Sequence, residues 1–177
     1  MRGMTSAQCL AVIRIGLGLY FLSFAYQKLA GNYLSSGAGL GRQLQQGLAA
    51  SPGFYQPFLS SAVIPNADLF ARLVALGELG VAISMILGLL TRAGGIVAIV
   101  LNLNYMLMKG LLNSGGSVDR FFVLIELMMI VSAAGLVWGL DGAWSRSFAR
   151  IPVVAWLAGV EREAPAARQP VPSFVTD

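Results

Sequence analysis

Four ionisable side chains lie within stretches that are otherwise apolar: Arg14, Glu78, Lys109 and Glu126. A charge at the centre of a lipid bilayer costs about 2.5–3.5 kcal/mol even on the scale derived from membrane insertion, so these residues need partners or a function. Depths counted along each stretch predict that Arg14 pairs with Glu78 near mid-membrane, and Lys109 with Glu126 nearer the outer surface. We interpret Arg14 and Glu78 as catalytic, with Glu78 accepting a proton and Arg14 stabilising an anionic substrate.

Further polar residues share helical faces with these four. Lys28 lies on the same stripe as Arg14, since residues spaced three and four apart lie on one face of a helix. The predicted substrate-binding residues are Lys28, Asn102, Asn104, Tyr105, Lys109 and Glu126. The alternative for the ion pairs is purely structural, because buried pairs also set helix register. The two amides have a similar alternative, as hydrogen bonds between helices.

The composition excludes several kinds of redox and catalytic site. The chain has no His, which excludes His-ligated haem or metal and His-dependent nucleophilic catalysis. Cys9 is the single Cys, so a CxxC pair and a self-contained iron–sulfur site are excluded as well. We therefore expect no haem, iron–sulfur or metal site in this chain. The 12 Lys and Arg residues form no run, so nucleic acid is not an expected partner.

The elements that hold these residues are predicted to be membrane-spanning helices. Hydrophobic residues make up 56% of the chain and charged residues 11%, against about 25% charged residues in soluble domains. Windows of about 19 residues give four spans, at about 7–29, 69–90, 93–112 and 121–140. The expected fold class is all-α, a four-helix transmembrane bundle. Arg14 interrupts the first span, which argues against a cleaved signal peptide.

Other segments lie outside the predicted spans. Residues 34–66 combine helical spacing of Leu with a group of aromatic residues, which predicts an outer interfacial loop or helix. Residues 144–163 are predicted to form an amphipathic helix on the inner surface, and residues 164–177 a disordered tail. Residues 1–143 would then be the membrane domain. A small excess of Lys and Arg on one side predicts that both termini are cytoplasmic.

Several short motifs follow one another in an order that resembles a known family. They are the Arg- and Lys-bearing stretch 14–29, the Gly-Glu element at 75–80, the Gly-Leu-Leu-Thr-Arg turn at 87–92 and the Asn-Leu-Asn-Tyr segment at 102–105. Together they resemble the DoxX/DoxD family of small four-span membrane proteins, which includes the small subunit of thiosulfate:quinone oxidoreductase. The resemblance covers about residues 7–141. The signature positions that it implies are Arg14, Lys28, Glu78, Gly88 and Arg92.

The resemblance also implies a function. The chain is expected to be an integral subunit of an oxidoreductase system in the plasma membrane of a prokaryote. It would pass electrons from a small sulfur compound or a partner protein to quinone, and Arg92 joins the predicted substrate-binding residues. The expected partners are the lipid bilayer, a second oxidoreductase subunit or redox partner, and further copies of the chain. Two alternatives stay open: a noncatalytic membrane anchor or assembly partner of a redox enzyme, and a small proton-coupled transporter.

Overall fold

The computed structural model describes residues 3–31, 33, 36–113 and 117–160 of the chain. Within these residues the fold is helical and contains no strand, as the sequence predicts. The α-helices in chain order are α1 (Ser6–Ala30), α2 (Ala38–Gly47), α3 (Gln56–Phe58), α4 (Ala67–Leu87), α5 (Thr91–Lys109), α6 (Ser117–Val131), α7 (Leu140–Ala143), α8 (Ser145–Phe148) and α9 (Pro152–Ala158). Three of them, α1, α4 and α5, are long and apolar enough to cross a membrane. They coincide with the first three predicted spans.

The fourth helix is shorter than the predicted span 121–140. α6 has 15 residues and ends at Val131, which makes it about 22 Å long, less than the bilayer core of about 30 Å. Ala133 then adopts a left-handed conformation with φ 47°, and a 3₁₀ turn follows at Ala134–Leu136. Hydropathy registers only the apolar side chains of this stretch. It does not register that the main-chain carbonyl groups bind an arginine, as described below, instead of extending the helix.

Glycine residues bring the long helices close together. α1 packs on α4, α4 on α5 and α5 on α6. A Cβ added at Gly18 of α1 would lie 2.8 Å from the main-chain N of Ile86, and one added at Gly95 would lie 2.7 Å from Cγ1 of Ile130. These four helices share one apolar core with the turn that follows α6. Its buried members are Leu17, Phe21, Val81, Ala82, Met85, Ala98, Met129 and Ala134.

The turn between α4 and α5 is tight, as the sequence predicts. Gly88 ends α4 in the left-handed conformation with φ 62°, a conformation that costs glycine little because it has no Cβ. Leu90 is also left-handed, with φ 49°, and α5 begins at the next residue. We call this end of the molecule the turn side.

A layer of short helices covers the other end, and we call it the cap (residues 38–63). It consists of α2, a 3₁₀ turn at Leu48–Ala50, and α3, which continues into π-helical turns at Leu59–Val63. Leu40 and Leu44 of α2 are buried against Leu59 and Val63. The cap is tied to α5 by two hydrogen bonds, from the Tyr55 hydroxyl to Oδ1 of Asn104 (2.5 Å) and from the Ser51 hydroxyl to the carbonyl of Met108 (3.1 Å). The predicted outer segment is thus a packed element.

The segment after α6 folds back beneath the bundle on the turn side. Where one amphipathic helix is predicted over 144–163, the structure has α8 and α9, separated by an extended residue at Ile151. Pro152 explains the break, because proline is favoured at the first position of a helix but disfavours helical backbone in the residue before it. α9 packs on α5. The predicted tail 164–177 lies outside the described residues.

Candidate functional site

A cavity of about 790 Å³ lies between the cap and the ends of α1, α4, α5 and α6, and we call it the chamber. Five predicted site residues line its wall, namely Lys28, Glu78, Asn102, Tyr105 and Lys109. Its other lining residues are Tyr20, Phe21, Phe24, Gln27, Tyr33, Gln43, Gln46, Met108, Val118 and Asp119. Most of the predicted polar site residues therefore lie together, as their spacing on helical faces indicates.

Glu78 is the centre of the polar wall. Its buried carboxylate accepts hydrogen bonds from the Lys28 ammonium, at 2.6 Å to each oxygen, and from the Tyr105 hydroxyl, at 2.6 Å to Oε1. Lys28 begins on the last turn of α1 and its side chain reaches inward to this carboxylate. A buried carboxylate of this kind is stable only because a cation and a hydroxyl satisfy its oxygens.

A second ion pair lies on the same wall, nearer the cap. The Lys109 ammonium lies 2.8 and 3.1 Å from the two carboxylate oxygens of Asp119, in the first turn of α6. The predicted pair of Lys109 with Glu126 is wrong, because Lys109 reaches the first turn of α6 instead of its middle. Both lysine ammonium groups, those of Lys28 and Lys109, lie 5.6 Å from the centroid of the Tyr105 ring. The ring face thereby adds a cation–π attraction to each.

Glu126 lies one layer behind the wall. It is fully buried, and its Oε1 accepts a hydrogen bond of 2.5 Å from the amide of Asn102, which itself lines the chamber. Its Oε2 has no hydrogen-bond partner within the described residues. Asn102 therefore connects a buried carboxyl group to the chamber. The sequence analysis named both Asn102 and Glu126 as site residues but did not predict the hydrogen bond between them.

Arg14 is on the turn side, apart from the chamber. Its buried guanidinium donates to three main-chain carbonyl groups after α6, those of Ala134 (2.8 Å), Val137 (3.3 Å) and Trp138 (2.9 Å). The predicted pair of Arg14 with Glu78 is wrong. The reason is the offset between α1 and α4: Gly18 is level with Ile86, which places Arg14 beside the end of α4.

Asp141 completes this region, and the sequence analysis missed it. Its carboxylate accepts from the main-chain N of Leu90 (2.7 Å), the main-chain N of Thr91 (2.9 Å) and the Thr91 hydroxyl (2.8 Å). It thus caps the N-terminus of α5, where the N–H groups have no partner in the helix. We call Arg14, Asp141 and the main chain that they bind the clamp. The sequence signal that could have indicated this role is an Asp that directly follows an apolar stretch and lies close to Gly139.

Two other predicted residues also lie outside the chamber. Arg92 donates from Nε to the carbonyl of Ile130 (2.9 Å) and from one terminal nitrogen to the carbonyl of Trp156 (3.3 Å), so it ties α9 to the bundle on the turn side. Asn104 is exposed and holds the hydroxyl of Tyr55. In the structure both residues join elements of the fold.

The rim of the chamber under the cap was also missed. It carries Tyr33, whose hydroxyl donates to Oε1 of Gln43 (3.2 Å), together with Gln27 and Gln46. Burial, and secondarily the negative charge of Glu78, raises the pKa of the Tyr33 hydroxyl above its ordinary value. That hydroxyl therefore stays protonated at neutral pH and acts as a donor.

The chamber combines hydrogen-bond donors with acceptors. Lys28, Lys109 and Tyr105 can donate to carbonyl or anionic oxygens, and the carboxylates of Glu78 and Asp119 can accept from donor groups. Phe21 and Phe24 supply an apolar wall beside them. Such a site suits a small molecule that has a flat apolar body and oxygen atoms at its ends.

Comparisons with known proteins give one informative match. No curated protein and no solved structure matches the chain significantly. Residues 9–160 match the model of the family described as "TQO small subunit DoxD". The match begins in α1 and ends after α9, so it includes the chamber and the clamp. The chain therefore belongs to the DoxD family.

Proposed function

We propose that this protein is the membrane subunit of a thiosulfate:quinone oxidoreductase-type system and that quinone, as a substrate, is reduced in the chamber. The description of the family supports the type of reaction. The observation that carries the proposal for this chain is the carboxylate of Glu78, which is held between the Lys28 ammonium and the Tyr105 hydroxyl on the chamber wall.

The residues present fit a quinone head group. The volume of about 790 Å³ is within the range of about 300–1,000 Å³ for small-molecule sites. A quinone has two carbonyl oxygens on opposite sides of a flat ring, and the chamber presents donors at two separate places, on Lys28 with Tyr105 beside Glu78 and on Lys109 beside Asp119. The rings of Phe21 and Phe24 provide an apolar surface for the ring.

The chemistry assigns different tasks to these side chains. Reduction of a quinone to a quinol takes up two electrons and two protons. Lys28 and Lys109 stabilise the negative charge that develops on the oxygens. Water supplies the two protons: the carboxylate of Glu78 takes up each proton and passes it to a quinone oxygen, while the Lys28 ammonium and the Tyr105 hydroxyl hold the carboxylate in place. We assign Glu126 to orienting the amide of Asn102 on the chamber wall.

The electrons must come from outside this chain or from the sulfur compound itself. A partner subunit or a small sulfur compound delivers them on the side of the cap; two thiosulfate ions, for example, release two electrons when a new S–S bond joins them as tetrathionate. The words "small subunit" in the family description support a partner subunit. In this proposal α6 and the turn after it make the fourth crossing of the plasma membrane, with the cap outside and both termini in the cytoplasm. Arg14 then has a structural task in the clamp.

The test is steady-state reduction of a decyl-tailed quinone by thiosulfate, with the protein purified in mild detergent together with whatever proteins remain bound. Glu78→Gln is expected to lower kcat by about 10²–10⁴-fold, the usual contribution of a positioned acid or base. Tyr105→Phe, which removes one hydroxyl, is expected to lower kcat less. Tyr26→Phe is the matched control, because Tyr26 is exposed on α1 and outside the chamber lining.

Unchanged turnover in Glu78→Gln contradicts the proposal. If that variant also still supports the activity of a bound redox enzyme, the chain is an anchor. If proteoliposomes of the wild-type protein instead show a solute flux that Glu78→Gln abolishes, the chain is a transporter. A detergent extract that contains no bound quinone and reduces no added quinone would exclude the chamber as a quinone site.

A further inference from the structure

The lining of the chamber changes character from one side to the other. Toward the surface of the bundle, between α1 and α6, it is formed by Tyr20, Phe24 and Val118. Under the cap it is formed by Gln27, Gln43 and Gln46, with Tyr33 beside them. We refer to the first set as the doorway and to the second as the rim. The ion pairs of Glu78 and Asp119 lie between them.

The doorway residues lie at the boundary between the chamber and the outer surface of the bundle. Tyr20, Phe24 and Val118 line the chamber, yet 37%, 36% and 53% of their surfaces are exposed. We place the opening of the chamber at this seam, where lining residues of two neighbouring helices are exposed. This surface carries exposed apolar residues on both helices, such as Leu19, Phe121 and Leu124. The opening therefore faces the hydrocarbon region of the membrane.

The seam at this opening is built differently from the other helix contacts. Gly18, Gly94 and Gly95 let neighbouring helices approach so closely that an added Cβ would collide with the facing helix. Between α1 and α6 the contact is made by side chains, with the rings of Tyr20 and Phe122 stacked at a centroid distance of 4.3 Å. Rotation of an exposed aromatic side chain such as that of Tyr20 needs no helix movement and is fast. The seam can thus widen while the core stays packed.

The rim has the opposite character. Gln27, Gln43 and Gln46 are exposed and uncharged amides, which hydrogen-bond to water and to anions without repelling them. The Lys109 side chain, which is 40% exposed, also lines the chamber, and its ammonium attracts anions although Asp119 neutralises part of its charge. Lys28 and Glu78 face the chamber as a second pair of opposite sign. A small anion can therefore approach from water by this route.

We propose that the chamber has two entrances for two reactants: a tailed quinone enters from the lipid through the doorway, and the anionic sulfur compound enters from water over the rim. The proposal rests on the proposed function, of which it specifies the routes. The apolar tail of the quinone stays in the doorway between Tyr20 and Val118, so that the tail remains in lipid while the head group reaches Lys28 and Tyr105. The two reactants meet at the Glu78 side of the Tyr105 ring.

Separate KM measurements for the two reactants test the routes. Tyr20→Trp combined with Val118→Trp narrows the doorway and is expected to raise KM for a decyl-tailed quinone about tenfold, with KM for thiosulfate unchanged. The control places the same residue type on the same helices outside the lining, as Tyr26→Trp with Phe121→Trp. It is expected to change neither KM.

The rim is tested by charge. Gln43→Glu combined with Gln46→Glu places two negative charges on the approach of the anion and is expected to raise KM for thiosulfate about tenfold at low salt, and less at high salt. KM for the quinone should not change. Gln45→Glu is the matched control, because Gln45 is exposed on α2 and outside the chamber lining. Doorway and rim variants that raise the same KM, or both KM values equally, would overturn the proposal.

A second measurement keeps the routes testable if wild-type protein reduces no quinone, the outcome that rejects the proposed function. In a Cys9→Ser background, Tyr20→Cys should react with a lipid-soluble maleimide and resist a charged, membrane-impermeant methanethiosulfonate. Gln46→Cys should react rapidly with the charged reagent. If Tyr20→Cys reacts as fast as Gln46→Cys with the charged reagent, the doorway opens to water and the proposal is wrong.

Discussion

The chamber and the clamp both bury charged side chains, but they satisfy them in different ways. In the clamp, the guanidinium of Arg14 and the carboxylate of Asp141 bind main-chain groups. In the chamber, the carboxylates of Glu78 and Asp119 bind the side chains of Lys28 and Lys109. The clamp is enclosed by glycines, where an added Cβ at Gly88 or Gly139 would collide with the guanidinium of Arg14. The chamber pairs border a cavity.

This difference separates a structural from a functional use of buried charge. Main-chain groups cannot leave without unfolding the segment that carries them, so a charge that binds them holds the fold. A lysine beside a cavity can turn from its carboxylate toward a ligand oxygen without unfolding the segment that carries it. The cost of removing each charge should therefore differ between the two regions, which the following variants measure.

Arg14→Met is expected to have the largest effect on stability. It removes the donor from three carbonyl groups, of which that of Ala134 is buried and those of Val137 and Trp138 are partly buried, and an unsatisfied buried group costs about 1–3 kcal/mol. We expect a loss of about 3–5 kcal/mol in the free energy of unfolding, measured by denaturant titration in detergent. Arg42→Met on the exposed face of α2 is the control and should change stability little. A stable, monodisperse Arg14→Met protein would show that the clamp is not needed for the fold.

The Lys28–Glu78 pair should behave differently, with a smaller loss that a second substitution restores. Glu78→Gln alone leaves the Lys28 ammonium without a carboxylate and is expected to cost about 1–3 kcal/mol of stability. Lys28→Met with Glu78→Gln is expected to recover most of that loss, since replacing both members of a buried pair is often nearly neutral. The double variant should remain inactive in quinone reduction. Equal stability losses in the single and double variants would show that this pair, like the clamp, has a structural role.

Tyr55→Phe should give the smallest effect. It removes the hydrogen bond from the cap to Asn104 and is expected to cost about 0.5–1.5 kcal/mol. Because the bond joins the cap to α5, hydrogen exchange should increase in α2 and α3 but not in α4. Tyr26→Phe removes an exposed hydroxyl and serves as the comparison. Faster exchange throughout the bundle would mean that the cap contributes to global stability.

Much of the site could be predicted because its residues share helical faces. The sequence analysis named Lys28, Glu78, Asn102, Tyr105 and Lys109 as site residues, and the structure places all five on the chamber wall, whereas Arg14, on the same stripe as Lys28, lies in the clamp. The pairs among these residues could not be predicted. Lysine is long enough to reach across several residues along a helix, so its partner depends on how far neighbouring helices are shifted past each other.

The part of the clamp after α6 was beyond prediction for a related reason. Residues 132–140 are apolar enough to be predicted as the end of a fourth span. Three of their carbonyl groups nevertheless bind Arg14, and the bond from Arg14 to Ala134 joins residues that are 120 positions apart in the chain. No local pattern contains that contact. The same holds for Asp141, whose partners at Leu90 and Thr91 belong to another turn.

The amino-acid sequence by itself determined that the chain is helical, that it belongs in a membrane and that Arg14, Glu78, Asn102 and Glu126 lie inside. These properties follow from composition and from the period of the helix, which are local. The tertiary structure alone decided which charged groups pair. The offset of α1 against α4 places Lys28 next to Glu78, and it places Arg14 next to main-chain carbonyl groups. That offset is set by close contacts between glycines and facing side chains, and it depends on all the helices at once.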